Sequence, residues 1–463
     1  MASVIRCWRT WLAVGFALCV SGCAAVRSYD TELHGTLDRA AAGNVEGAIK
    51  LLDSANPDKK SVLYQMELGM LQRWGARYEQ SLQAWKAASA GVQAGREAGT
   101  FDVARLAGSA GSYMISDRLR PYQAHDYEQV MLLTYIALNH LAIGDYDAAR
   151  VAIKQTHELE AEIAEARAKQ IAEVEEEAKK RGARSSFKEL NGYPVETIDN
   201  PEVNALRNGY QSALSHYLAG YVYEALGEPS LAAPGYRLAN ELQPGQPLIE
   251  EALAGLDARV AAPDDGKTDV LIIVGTGAAP ALQSRQFNTP LLINNKLIFL
   301  PIAYPVMARP MPGPVPQLSV DGQPLAIAPL TSIDLMARRS LQDDMPSIML
   351  RAAIRSATSA TLQYQAQSHA RDRDGAGIAV AAAILAVGAT ALNAADDRTW
   401  RALPSEVAIA RARLPRGEHK ITLRAGDGSH EVPLTVAGRH AVVDFRLLSR
   451  QVFVSAPKAD VLR

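Results

Sequence analysis

One stretch of the 463-residue chain, residues 210–244, restricts the possible fold more than any other. Small residues recur on both sides of Gly227 at spacings that suit the crossing of two helices, and Pro244 follows where the second helix would end. Proline ends a helix because its ring clashes with the preceding turn. The stretch therefore predicts a helical hairpin that turns at Gly227. The residues expected at the crossing are Ala219, Gly220, Tyr223, Ala232, Tyr236 and Ala239.

This spacing resembles that of the tetratricopeptide repeat, a helical hairpin of about 34 residues that stacks into a solenoid. Three further segments fit the same pattern, so we expect a repeat domain over residues 33–255, interrupted by a loop with partial helix at 89–126. The further hairpins are predicted at residues 33–57, 62–88 and 130–160, with turns at Gly43, Ala76 and Gly144.

The second helix of the third hairpin is predicted to continue as a long arm over residues 157–184. Glutamates stand four residues before lysines or arginine in this segment, as in Glu165/Lys169 and Glu176/Lys180. That order stabilises an exposed helix. We favour a solvated helix supported by its own ion pairs, with a projecting helix that contacts a partner as the alternative.

From about residue 256 the apolar pattern changes from helical to strand-like. A continuous apolar run at 268–274 predicts a buried strand, and apolar-polar alternation after Glu406 predicts short antiparallel strands. We therefore expect an α+β multidomain chain, in which an α-helical tetratricopeptide-like solenoid precedes a mixed β-rich region and a small C-terminal antiparallel β-sandwich. The other elements predicted within 256–463 are strands around Asn294-Asn295, a hairpin at 317–330, and helices at 331–367 and 375–395.

The segment 375–395 contains no charged residue over 21 positions. It is long enough to cross a bilayer, but its apolar content is mostly alanine, which contributes little to insertion. We favour a helix buried within the protein. Contact with a membrane and contact with another copy of the chain remain the alternatives.

The N-terminus predicts a lipoprotein signal peptide over residues 1–22. Arg6 and Arg9 precede a short apolar core, and the sequence Val20-Ser21-Gly22-Cys23 resembles a bacterial lipobox. We expect lipid on the Cys23 sulfur, a tether over 23–32, and sorting to the outer membrane, because the aspartate that retains such proteins in the inner membrane is replaced by Ala24. All three cysteines lie in the first 23 residues, so the mature chain forms no internal disulfide.

The sequence predicts no catalytic, cofactor-binding or metal-binding residue. The glycines after the strand at 268–274 lack the third glycine and the following helix of a dinucleotide site, so we interpret Gly275-Thr276-Gly277 as a turn. The nine histidines show no metal-ligand spacing, and the net charge of −2 gives no basic surface for nucleic acid. We expect a protein that is not an enzyme; a hydrolase with clustered carboxylates in 265–460 is the alternative.

Stacked helical hairpins bind peptides or partner domains through their curved surface. The exposed positions of the first helices would then determine specificity. In the fourth hairpin these positions are predicted to be Tyr217, Tyr221 and Glu224, and Tyr221 could equally pack between hairpins.

The whole pattern resembles a family of poorly characterised tetratricopeptide lipoproteins of Gram-negative envelopes. The segments that carry the resemblance are 20–23, 127–151, 215–228 and 396–419. It implies no activity or cofactor, and it implies an envelope protein as partner, in envelope assembly, peptidoglycan synthesis or export. We expect a non-enzymatic, periplasm-facing scaffold that could form homo-oligomers. The alternative is a membrane-active or oligomeric subunit that uses 375–395.

Overall fold

The structure is a computed structural model. It describes residues 28–97, 118, 120–180, 195–293, 296–311, 313–371, 394–426 and 428–457. The predicted signal peptide, Cys23 and residues 375–393 of the apolar segment lie outside the described residues, and the last two residues of that segment, 394 and 395, are not helical. No helix within the described part of the chain is long and apolar enough to cross a membrane.

Four helical hairpins form the N-terminal half, as predicted. Each hairpin turns at a residue with a left-handed backbone: φ is 80° at Gly43, 56° at Ala76, 79° at Gly144 and 76° at Gly227. Glycine adopts this conformation without steric cost, which explains three of the four turns. The hairpins pair α1 (Tyr29–Ala41) with α2 (Val45–Ala55), α3 (Val62–Trp74) with α4 (Tyr78–Glu97), α5 (Asp126–Ala142) with α6 (Tyr146–Lys180), and α9 (Ala213–Ala225) with α10 (Pro229–Leu242).

The helices begin and cross where the local sequence requires it. Ser61 and Ser212 precede α3 and α9, and their hydroxyl oxygens accept hydrogen bonds from backbone N–H groups of the first turn. At the crossing of the fourth hairpin, a methyl group on Gly220 would lie 2.6 Å from the ring of Tyr236. The predicted close approach of helices at small residues is therefore confirmed.

The long helix α6 does not extend freely into solvent. Arg167 forms ion pairs with Asp126 and with Asp344 of the long helix α13 (Ile333–Arg371), while Ile163 is buried. The predicted pair of Glu176 and Lys180 does form, at 2.7 Å. The prediction of a wholly solvated arm is therefore wrong, because one face of α6 packs along α13 and becomes part of the fold.

Short helices connect the hairpins to the rest of the chain, and eleven strands follow. The short helices are α7 (Val195–Ile198), α8 (Pro201–Ala205), α11 (Pro247–Ala254) and α12 (Leu256–Ala261). The strands are β1 (Lys267–Thr276), β2 (Leu282–Ile293), β3 (Lys296–Met307), β4 (Pro316–Val320), β5 (Gln323–Leu325), β6 (Ala328–Ser332), β7 (Glu406–Pro415), β8 (Gly417–Ala425), β9 (Gly428–Val436), β10 (His440–Leu448) and β11 (Gln451–Ser455).

The strands form two packed sheets and a separate hairpin. One sheet has the order β11-β10-β1-β7-β6, in which β1 and β10 run parallel, and the other has the antiparallel order β5-β4-β8-β9. Apolar residues of both sheets form one core. The α+β class is confirmed, but the sandwich is larger than predicted. Its C-terminal strands join both sheets and pair there with strands from residues 267–332.

The central position of β1 follows from its apolar sequence. Val270, Ile272 and Val274 lie in the core between the two sheets. Leu271 and Ile273 alternate with them and lie in the core shared with the helices. Because side chains of a strand point to opposite faces in turn, a continuous apolar run such as residues 270–274 must be covered on both sides. The helical hairpins therefore cover the outer face of this sheet.

Candidate functional site

The three residues predicted to bind a partner are buried, so the prediction that they are exposed is wrong. Tyr217 and Tyr221 are 0% exposed and Glu224 is 2% exposed. The hydroxyl of Tyr221 contacts backbone groups of β1 and β10, including a hydrogen bond to the carbonyl of Ala441. The physical reason is that the five-stranded sheet covers the face of α9 that a free solenoid would present to solvent.

A network of charges fixes this face of α9 to the sheet. Glu224 accepts hydrogen bonds from Arg259 at 2.6 Å and from Arg411 of β7 at 2.7 Å, and Tyr236 donates to it at 2.6 Å. Arg411 also donates two hydrogen bonds to Asp269 of β1. Burial acts to raise the pKa of Glu224, but the hydrogen bonds and charges of the two arginines outweigh it, so the pKa is lowered.

Three residues at this network lie close enough together to bind one cation. Single ligand atoms of Glu224, Asp269 and His440 lie within 4.8 Å of one another. Both carboxylates already accept hydrogen bonds from Arg411, however, and burial lowers the pKa of His440. Two guanidinium groups therefore neutralise the two carboxylates, and we interpret the cluster as a structural ion-pair network rather than a metal centre.

A second contact holds a segment that is neither helix nor strand against the helices. We call residues 394–405, which precede β7, the linking segment. Glu67 of α3 accepts hydrogen bonds from the backbone N–H groups of Arg401 at 2.7 Å and Ala402 at 3.1 Å. Glu128 of α5 accepts one from the N–H of Trp400 at 2.6 Å. Two buried carboxylates on successive first helices thus bind three consecutive backbone amides.

Tyrosines surround these carboxylates and complete their hydrogen bonding. The hydroxyls of Tyr122 and Tyr127 donate to Glu128, and that of Tyr29 donates to Glu67. Burial raises the pKa of Glu67 to about 8, although the amides of the linking segment act in the opposite direction. These groups form a polar site inside an otherwise apolar interface, which specifies the position of the linking segment.

Trp400 anchors the linking segment between the helices. Its side chain is fully buried, and its ring centroid lies 6.1 Å from that of Trp85 on α4 and 6.1 Å from that of Tyr135 on α5. Arg401 donates a hydrogen bond to Asp30 at the start of α1 at 2.9 Å. The groove formed by three hairpins is therefore filled by a peptide of the same chain.

Sequence reasoning missed this site. Glu67 stands within a largely apolar stretch of α3, and Glu128 adjoins Tyr127 in the first turn of α5. An acidic residue on an apolar helix face was the available signal, but nothing local indicated which segment would bind it. Trp400 lies in the segment 396–419, which carries part of the family resemblance, but the resemblance implies no role for this residue.

Other sequence predictions have clearer outcomes. Gly277 has φ of 68°, and the next element after β1 is the strand β2, which agrees with a turn rather than a dinucleotide loop. His216 packs in the interior, stacked on His157 with ring centroids 5.1 Å apart, which agrees with the prediction that the histidines are not spaced as metal ligands. The lipidation of Cys23 stays a prediction, since that residue lies outside the described part of the chain.

Comparison with known proteins adds only weak structural likeness. No family model matches the chain, and no curated protein matches it. A solved tetratricopeptide repeat protein from Parabacteroides merdae ATCC 43184 is similar at 14% sequence identity, over 50% of this chain and 98% of that chain. Its TM-score of 0.13 is too low to carry an argument. The interpretation of the helices as stacked hairpins therefore depends on the turns and crossings described above.

Proposed function

We propose that this protein is a non-enzymatic scaffold that binds a protein partner in the cell envelope. The observation that carries the proposal is the groove of the hairpins, which holds a turn of the linking segment by its backbone amides through Glu67 and Glu128. Stacked helical repeats bind other polypeptides through such curved surfaces. Because the linking segment fills the groove, an external partner binds elsewhere on the molecule.

The outer surface of the hairpins offers such a place. Val151 on α6 is 56% exposed and Leu231 on α10 is 51% exposed. An ion pair of 2.9 Å between Arg150 and Glu228 joins the beginnings of these two second helices. Exposed apolar side chains with charged neighbours are common at protein interfaces, so we assign partner contacts to this outer face.

The location belongs to the same proposal. The lipobox sequence that ends at Cys23 would anchor the chain by lipid, and Ala24 favours sorting to the outer membrane with the protein facing the periplasm. The resemblance to envelope lipoproteins with such repeats supports a role in envelope assembly, peptidoglycan synthesis or export.

Two measurements test the proposal. Cells that express the full chain are labelled with radioactive palmitate and fractionated. We expect label and protein in the outer membrane, and we expect Cys23→Ser to remove both from that membrane.

In the second measurement, a photo-crosslinking amino acid replaces Val151 or Leu231, and captured proteins are identified by mass spectrometry. One envelope protein captured at both sites is the expected result. If neither site captures a protein, the outer face of the hairpins is not a binding surface.

A further inference from the structure

The most exposed large apolar side chains of the described chain lie outside the helices. Met311 is 78% exposed and Val315 is 83% exposed, whereas the exposed apolar residues on the helices reach at most 59%. Both belong to the connection between β3 and β4, residues 308–315. We call residues 309–316, with the sequence Arg-Pro-Met-Pro-Gly-Pro-Val-Pro, the proline ridge.

The sequence of the proline ridge imposes an extended backbone. Prolines occupy every second position from Pro310 to Pro316, so each intervening residue precedes a proline. Proline fixes its own φ near −65°, and it restricts the residue before it to extended or polyproline conformations. The sequence therefore favours an extended chain before any partner binds, so that little conformational entropy remains to be lost on binding.

Contacts at both ends and near the middle hold the ridge in place. Before it, the N–H of Ala308 donates to the carbonyl of Ala281 at 2.8 Å, and the Ala308 carbonyl accepts from Arg338 at 2.7 Å. At its end Pro316 pairs with Ala425 of β8. Gly313 lies so close to the end of β1 that a methyl group there would come within 2.7 Å of the backbone nitrogen of Gly277.

A cleft of about 210 Å³ adjoins the proline ridge. Pro314 forms one side of it, β9 contributes His430, and the turn between β10 and β11 contributes Ser449 and Arg450. Among the described residues of ridge and cleft, the formally charged side chains are Arg309 and Arg450, and both are cationic and exposed. Each of these two guanidinium groups can pair with a carboxylate of a partner.

We propose that the proline ridge and its adjoining cleft form a docking site for a protein domain whose aromatic-lined groove carries carboxylates at its rim. Aromatic grooves bind proline-rich segments because flat rings pack on proline and on the apolar residues between the prolines. Met311 and Val315 supply those apolar contacts, and Arg450 pairs with an acidic residue. This inference depends on the proposed scaffold function and specifies a second surface for it.

The test places a photo-crosslinking amino acid at position 311 or 315 of the full lipidated chain, with positions 151 and 231 on the helices as matched exposed controls. Capture is carried out in isolated cell membranes. A synthetic peptide of residues 307–317 serves as competitor, and the same peptide with its four prolines replaced by alanine serves as its control. Mass spectrometry then locates the cross-linked segment of the partner.

We expect positions 311 and 315 to capture one protein through a segment that contains aromatic and acidic residues. The proline peptide should lower the yield about tenfold, and the alanine peptide should not. Arg450→Glu should lower the yield about as much and leave the thermal unfolding midpoint unchanged, since its exposed side chain makes no core contact.

Four outcomes overturn the inference. Capture at 151 and 231 but not at 311 and 315 removes the docking site and leaves the scaffold function in place. Capture of a second copy of this chain at 311 and 315 makes the ridge a self-association surface instead. Equal competition by the proline and alanine peptides contradicts recognition of the extended prolines. If none of the four positions captures a protein, both this inference and the scaffold function fail.

Discussion

The substitution Trp400→Ala tests whether the linking segment is a fixed part of the fold. Trp400 lies in the β-rich half of the sequence, yet its fully buried ring packs on Trp85 and Tyr135 of the helical half. If this contact joins the two halves, then loss of one side chain should destabilise helices that are more than 250 residues distant in sequence.

The expected size of the effect follows from the buried area. A tryptophan side chain buries about 200 Å², and at about 25 cal/mol per Å² this corresponds to about 5 kcal/mol. Replacement of buried Trp by Ala costs about 3–5 kcal/mol in other proteins, because the cavity only partly collapses. We therefore expect Trp400→Ala to lower the free energy of unfolding by about 4 kcal/mol.

The measurement is urea unfolding of a chain that begins after Cys23, followed by far-ultraviolet circular dichroism, which reports mainly on the helices. Two variants serve as controls. Met311→Ala removes an exposed side chain and should change the free energy by less than about 0.5 kcal/mol. Trp400→Phe keeps most of the ring and removes an indole N–H that has no hydrogen-bond partner among the described residues, so its cost should stay below about 2 kcal/mol.

A small effect would refute the reasoning. If Trp400→Ala lowers the free energy of unfolding by less than about 1 kcal/mol, the linking segment does not hold the two halves together. The groove between the hairpins would then be accessible to an external peptide. The proposal that the linking segment fills the groove, so that a partner binds the outer face instead, would be wrong.

Three further substitutions, with one control variant, are read out by the same unfolding measurement. Ala76→Gly should raise the free energy of unfolding by about 1 kcal/mol, because Ala76 adopts a left-handed φ of 56° that strains a residue with a Cβ. Gly220→Ala should lower it by about 2 kcal/mol, since the methyl group would meet the ring of Tyr236 at 2.6 Å, while Gly95→Ala, with no atom within 4 Å of the new methyl, should not lower it. Burial raises the pKa of Glu67 from 4.5 to about 8, so the folded state binds the Glu67 proton more tightly than the unfolded state does. This difference contributes on the order of 5 kcal/mol to the free energy of unfolding; the contribution is complete below pH 4.5 and is lost as the pH rises through 8. Glu67→Gln should remove that pH dependence of the free energy of unfolding.

The helical hairpins could be predicted from the sequence because their signals are local. Turn glycines such as Gly144 and Gly227, and small crossing residues such as Gly220, fall within one or two helical turns of each other, and each feature restricts the backbone directly. Even Ala76 could be placed at a turn, because the repeat spacing fixes that position independently of residue type.

The candidate site could not be predicted, because its contacts join residues far apart in sequence. The carboxylate of Glu67 binds amides of Arg401 and Ala402 more than 330 positions later. Tyr221 stands at a position that is exposed on the first helix of a repeat in a free solenoid. Only the position of the sheet shows that it is buried here. The apolar run of β1 indicated that both faces of that strand would be covered, but it did not indicate by which helices.

The buried charges explain why the sheet can have only one position on the hairpins. Arg73 of α3 pairs with Asp444 of β10 at 2.9 Å, and Arg411 of β7 pairs with Glu224 of α9 at 2.7 Å. A buried ion pair adds little net stability, because desolvation offsets its attraction, but a shift of the sheet would leave each charge buried and unpaired at a cost of several kcal/mol. Two such pairs at different hairpins therefore fix both the position and the rotation of the sheet. As a result, the proline ridge, which is held to β1 and β8, keeps a constant distance from the outer face of the hairpins. A partner that contacts both surfaces gains from their fixed spacing, because the second contact forms without further loss of conformational entropy.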